Sequence, residues 1–243
     1  MGDAVTSVTY GGVVLTDRWV VTDVVRPLPR VIVDTDDAPG RDGVVVRGAR
    51  YGVPEVSMRV WAVAVGWEDQ QRAVREIAAT FPRGVERRLS FGDDGGLWRL
   101  AQPTGEREVR SYDESVSVNV TLLCADPVMY GAQCSASLSG PTVTATIGGT
   151  FPARPRVTVV GARPGADGTL GLLIGGRALA VALDGPGGHG VDIDCGSRTC
   201  AVDGRLALPT LDSDWPSLPP GAQAMSIASG TGSATVTWHE RWL

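Results

Sequence analysis

One short stretch near the middle of the chain constrains its fold more than any other: residues 121–131, Thr-Leu-Leu-Cys-Ala-Asp-Pro-Val-Met-Tyr-Gly. The stretch ends a strand and breaks it at Asp126-Pro127, since proline donates no ladder hydrogen bond and restricts the residue before it. It also separates two halves of different chemistry. Residues 1–131 carry 15 Arg and 19 acidic residues, a net charge of −4. Residues 132–243 carry 7 Arg and 8 acidic residues, a net charge of −1, and are dense in Gly, Thr and Val. We therefore expect two domains, 1–131 and 132–243, in a chain whose 243 residues suffice for one large or two small ones.

Period-2 alternation dominates the first half. Val56, Met58, Val60 and Ala62 point to one face, and Ser57, Arg59, Trp61 and Val63 to the other. The second face turns apolar at Trp61, which predicts cover on both sides at that end of the strand. Val116, Val118, Val120 and Leu122 alternate with Ser117, Asn119 and Thr121 in the same way. Shorter strands are expected at 5–10, 19–25, 30–34, 85–91 and 97–101. Gly11-Gly12, Gly40-Arg41-Asp42-Gly43 and Asp93-Asp94-Gly95-Gly96 mark turns.

One segment departs from this pattern. From Glu68 to Phe81 the apolar positions Val74, Ile77, Ala78 and Phe81 follow helical spacing. Glu68 and Asp69 favour the positive end of the helix dipole, and Pro82 stops the helix. A single short helix cannot bury its stripe alone, so it is expected to pack on the first-half sheet. The second half predicts strands throughout, near 142–147, 154–160, 169–174, 178–183, 190–195, 199–202, 223–228 and 233–238. Turns recur between them as an all-β sandwich requires.

Composition narrows the function. With 43% hydrophobic residues the chain can build a core, and no apolar run approaches the ~18 residues a spanning helix needs. No membrane role is expected, and the first residues, with Asp3 early, show no signal peptide. The net charge of −5 argues against gripping nucleic acid through its phosphates. All 22 basic residues are arginine and Asn119 is the sole asparagine, a bias we assign to a GC-rich genome rather than to recognition. The mixed-sign charge of the first half keeps a surface solvated and equally suits a polar interface.

No residue set predicts catalysis. The two histidines, His189 and His239, lack a nucleophile elbow or a paired acid at suggestive spacing, and His239 reads as a strand-edge surface residue. Asp36-Asp37 and Asp93-Asp94 read as solvated loop acids, and the glycines at 40–43 precede a Val-rich strand rather than a phosphate-binding helix. Cys195 and Cys200 flank a short turn, and Cys124 and Cys134 flank the central joint; neither spacing is that of a zinc site. Near His189, alternation sends Asp192 and Asp194 to one face and Cys195 to the other, so metal ligands diverge. A hairpin disulfide Cys195–Cys200 and free thiols both remain open, with free thiols preferred. We expect no enzyme, no metal and no cofactor. Trp19, Trp61, Trp67, Trp98, Trp215, Trp238 and Trp242 read first as core residues, with sugar or partner contact as the other use of an exposed one.

The order of features resembles the distal tail proteins of phages with long, non-contractile tails, the siphovirus tail component family. The shared features begin with Val8-Thr-Tyr-Gly-Gly12, Pro27-Leu-Pro29 and the Pro39-Gly-Arg-Asp-Gly43 turn. They continue with the lone helix before Phe81-Pro82 and the exit Leu123-Cys-Ala-Asp-Pro127 with Tyr130-Gly131. The second half adds Val191-Asp-Ile-Asp-Cys195, Arg198-Thr199, Trp215-Pro-Ser-Leu-Pro-Pro-Gly221 and the ending Thr237-Trp-His-Glu-Arg-Trp-Leu243. Gly221-Ala222-Gln223 departs from the family, which often has Asn soon after Pro-Gly.

The resemblance implies a mainly β chain: a ring-forming β-sandwich or split-barrel domain with one α-helix, then a galectin-like all-β sandwich. It implies a structural virion protein at the tail tip, assembled in the bacterial cytoplasm as a homo-hexameric ring. Its implied partners are the tail tube protein, the tail-tip hub, fibre or receptor-binding proteins and the tape measure protein. DNA would pass through the lumen without specific binding. The alternative from a different class is a carbohydrate-binding, lectin-like sandwich, which needs exposed aromatics beside convergent polar groups.

Overall fold

The computed structural model describes residues 7–40, 42–138 and 142–243. Residues 5 and 6 of the first expected strand and Arg41 of the 39–43 turn lie outside that set. Contacts divide the chain into residues 1–129 with Leu243, and residues 130–242. The protein is mainly β, with a single α-helix among the described residues.

In the first unit the strands are β1 (Val8–Tyr10), β2 (Val13–Val14), β3 (Val20–Val25), β4 (Val31–Asp37), β5 (Val44–Tyr51) and β6 (Glu55–Val63). Helix α1 (Trp67–Thr80) follows, and then β7 (Arg87–Phe91), β8 (Trp98–Thr104), β9 (Val109–Ser111) and β10 (Ser115–Leu123). All pairings are antiparallel. β6 and β10 run in register over nine pairs, so Val56, Met58, Val60 and Ala62 sit opposite Leu122, Val120, Val118 and Val116. All eight are buried, and they form the floor of the core. β8 serves two sheets: Arg87–Ser90 pair with its first half, whereas Gln102–Thr104 pair with β10. A strand that changes sheets midway makes the corner of an open barrel.

Helix α1 caps that core through three of the four expected stripe positions, Val74, Ile77 and Phe81. Ile77 and Phe81 are buried and Ala73 and Val74 pack beside them, whereas Ala78 is exposed. Gln70 completes the inner face and donates from Nε2 to the Tyr112 carbonyl at 2.6 Å. The face therefore follows 70, 73, 74, 77 and 81, and its polar first member escapes a hydrophobicity pattern. Tyr10 stacks on Phe81 with ring centroids 5.1 Å apart and donates its hydroxyl to the Ala101 carbonyl at 3.2 Å. A buried tyrosine hydroxyl so partnered avoids the desolvation penalty of an unpaired one.

The second unit contains β11 (Met129–Leu138), β12 (Val143–Ile147), β13 (Arg156–Arg163), β14 (Thr169–Ile174) and β15 (Arg177–Ala182). It continues with β16 (His189–Asp194), β17 (Thr199–Val202), β18 (Arg205–Ala207), β19 (Gly221–Ser229) and β20 (Thr231–Trp242). One sheet has the order β18-β17-β16-β13-β20-β11, and the other β12-β19-β14-β15. Val157, Val159, Val191, Ile193, Ala234 and Val236 from the first meet Leu170, Leu172, Ile174, Leu179, Val181 and Met225 from the second. This is a sandwich with alternating inward residues, as the sequence periodicity predicts.

Candidate functional site

The titratable candidates are dispersed. His189 Nδ1 lies 2.7 Å from Asp203 Oδ2, an ion pair at the β16–β17 hairpin. His239 Nδ1 contacts the Gly131 carbonyl at 3.2 Å. It lies on β20, between β13 and β11, so it is a half-buried residue of an interior strand rather than of an edge. No group of three or more His, Cys, Asp or Glu positioned for a metal occurs among the described residues. Asp192 accepts from Thr158 Oγ1 at 2.9 Å. Asp194 accepts the backbone N–H groups of Gly196 and Ser197 at 2.8 and 3.0 Å.

The four cysteines are free thiols. Burial pushes the Cys195 thiol up to about 12, with Asp194 and Cys200 adding to the shift, and the Cys200 thiol up to about 11. Thiols held this far from ionisation are poor nucleophiles and poor ligands.

Asp93 and Asp94 lie in the expected turn, whereas Asp36 and Asp37 do not lie in a loop. Asp36 and Asp37 belong to β4, where they pair with Val45 and Val44. Asp36 forms an ion pair with Arg47. Asp93 and Asp94 are clamped by Arg26, whose Nη1 reaches the two carboxylates at 2.9 and 2.8 Å and whose Nη2 reaches Asp93 at 2.6 Å. The Arg26 hydrogen bond holds the Asp93 carboxyl below its ordinary range. The clamp ties the segment after β3 to the turn between β7 and β8.

What distinguishes the first unit is apolar surface left bare. β4 and β5 pair only with each other. Val31, Val33 and Thr35 lie opposite Tyr51, Ala49 and Val46, and Asp37 opposite Val44, so Val31, Val33, Val44, Val46 and Tyr51 share a face. All five are exposed, Val46 at 62%. The other face carries the Asp34–Arg50 pair at 3.9 Å. A two-stranded hairpin is marginal alone in water, so this one needs cover for its valine face. A second bare patch follows β6. Val63 is 86% and Trp67 72% exposed, and Val65 is exposed between them. The expectation that this end of β6 is covered on both sides fails: Trp61 is half-buried against Tyr112, 5.2 Å away, but the chain supplies nothing over Val63.

Sequence reading found neither surface as an apolar one; it expected polar contacts. The alternation of Val44, Val46 and Val31, Val33 was the available signal. Among the tryptophans, Trp19 and Trp238 are core residues, Trp61, Trp98, Trp215 and Trp242 are half-buried, and Trp67 is surface.

These features define a class: a two-unit β protein with bare apolar surfaces on its first unit. Residues 148–242 match the family described as siphovirus-type tail component, C-terminal domain. Over nearly the whole chain the fold is that of the Dit (gp 19.1) protein of phage SPP1. That protein is described as a paradigm of the hub adsorption apparatus in phages infecting Gram-positive bacteria. The match has a TM-score of 0.79 at 17% identity, covering 98% of this chain and 99% of that one. Chains of the phage P2 baseplate in its activated conformation, with Ca and with Sr, align at TM-scores of 0.39 and 0.42 and 8% identity, a looser likeness. No curated protein sequence matches the chain.

Proposed function

We propose that this chain is a structural virion protein, the distal hub that joins a phage tail tube to its baseplate, tail tip or receptor-binding proteins. The observation that carries this reading is the match of residues 148–242 to the siphovirus-type tail component family. The shared fold with the SPP1 Dit protein, over both units, supports it. The first unit is the ring-forming part and the second is the outer sandwich. The copies form a closed ring of six, with the tube protein on one side and tip or fibre proteins on the other, and the tape measure protein and DNA inside.

Physical features of the first unit support self-assembly. A repeated chain with one exposed apolar hairpin face and one matching surface per copy closes into a ring by a heterologous contact. Burying a valine contributes about 1.5 kcal/mol, so a five-residue apolar face is a substantial share of an interface. The net charge of −4 for residues 1–131 suits a lining that lets DNA slide through without holding it.

Mass photometry and negative-stain imaging of the purified full-length protein test the reading. Rings, alone or on addition of the tube protein, are the expected result. A protein that stays monomeric at every concentration, with the tube protein present, refutes it. A stand-alone lectin is less well supported, because the fold shared with the SPP1 Dit protein extends over both units.

A further inference from the structure

The second unit contains a cleft of about 440 Å³ lined by Arg154, Arg177 and Arg198 together with Trp215. Its assembly is specific. Gly175, at φ +57°, turns β14 into β15 so closely against the 215–218 segment that a Cβ there would meet the Ser217 carbonyl at 2.5 Å. Arg177, the first residue of β15, and Trp215 both line the cleft. The turn at 196–199 adds Arg198 to the lining, and a Cβ at Gly196 would lie 3.9 Å from the Arg154 side chain. Arg154 follows Ala153, which is fixed to Leu218 by a reciprocal pair of backbone hydrogen bonds of 2.8 and 2.9 Å. Three separate loops thus deliver three guanidinium groups to one concavity.

None of the three has an ion-pair or hydrogen-bond partner among the described residues. The carboxylate of the same turn, Asp194, is spent on the N–H groups of Gly196 and Ser197. Arg198 also adopts φ +56°, a conformation that disfavours a long L side chain and is normally left to glycine or asparagine. Glycine is abundant in this chain, at 32 residues, so an arginine kept in a strained turn position is a costly choice. Guanidinium groups that line one concavity without an ion-pair partner are free to take an anion there. The guanidinium fork suits a carboxylate or a phosphate. The volume falls within the range of small-ligand sites, and a half-buried tryptophan offers a flat apolar wall to a sugar ring.

We propose that this cleft binds an anionic sugar unit, a carboxylate- or phosphate-bearing residue of a surface polysaccharide, with the acid group on the arginines and the ring against Trp215. The site stands on the geometry of the second unit alone and does not depend on ring formation.

Isothermal titration of the full-length protein tests this with four probes: a galacturonic acid trisaccharide, a phosphorylated maltotriose, neutral maltotriose and an Asp-rich hexapeptide. Binding of at least one anionic glycan and none of maltotriose is expected, with the stronger of the two acids naming the source. The double variant Arg177→Ala/Arg198→Ala removes two exposed side chains with no structural partner, and should bind about tenfold or more weakly with its melting temperature kept. Three results overturn the proposal: no glycan binding up to about 10 mM, equal binding by the double variant, or tighter binding of the acidic peptide, which would make the cleft a protein-docking site.

Discussion

At the scale of single residues the structure places titratable groups where their neighbours set how they respond to pH. Asp203 raises the pKa of His189 above its ordinary 6.5 by a direct hydrogen bond, and His189 in turn lowers that of Asp203. The stabilisation from a raised histidine is fully present below the unfolded value and is lost as pH rises through the folded one. His189→Asn should therefore lower the melting temperature near pH 6 and leave it unchanged by pH 9; an equal loss at both would mean that the imidazole acts through packing. Cys195 and Cys200 behave oppositely to reactive thiols. Their folded values of about 12 and about 11 lie above the ordinary 9.0. Below pH 9 they should resist a disulfide-exchange reagent until the protein unfolds, and added reductant should not move the melting temperature. Rapid labelling of either in the native state contradicts this. The sequence made the diverging ligands around Asp192 and Cys195 visible through strand parity. It hid the Arg26 clamp on Asp93 and Asp94, because a contact between residues 67 positions apart leaves no local signal.

At the scale of elements, what was readable follows from periodicity. The facing apolar rows of β6 and β10 are evident from alternation alone, and so is the position of α1. β11 was missed. Its sequence, Met-Tyr-Gly-Ala-Gln-Cys-Ser-Ala-Ser-Leu, has small residues on both faces, and its pairing is set by β20, more than ninety residues downstream. The stripe of α1 was right at Val74, Ile77 and Phe81 and wrong at Ala78, because Gln70 rather than Ala78 faces inward. Ile77 remains its fully buried anchor. Ile77→Asp should cost roughly 3 kcal/mol or more of first-unit stability in a denaturant titration. The second unit should keep its protease resistance; simultaneous loss in both would show that the two units fold as one. The β4–β5 hairpin calls for the opposite kind of variant. Val33→Asp/Val46→Asp changes exposed side chains only, so monomer stability should shift by less than about 1 kcal/mol. Assembly should nevertheless fail, and rings of normal size from this variant would remove the hairpin from the interface.

At the scale of the whole molecule, two forces compete to explain assembly, and the sequence and the structure favour different ones. The charge pattern of residues 1–131 favours an interface held by many ion pairs. The structure instead leaves valines bare on β4 and β5 and leaves Val63, Val65 and Trp67 uncovered, while several first-unit arginines, among them Arg26, Arg47 and Arg59, already have carboxylate partners within the same chain. Charges satisfied internally add little to a contact with another copy. Apolar surface has no such internal partner, and its burial does not weaken with salt. The two accounts separate cleanly in a salt titration. Screening shortens to a few ångströms near 1 M, so an ion-paired ring should dissociate there. We expect rings of the full-length protein to persist from low salt to about 1 M sodium chloride and to dissociate in moderate urea before the second unit unfolds, measured by mass photometry alongside circular dichroism. Dissociation by salt alone, with the fold intact, would return the interface to the charged surface and leave the hairpin valines without a role.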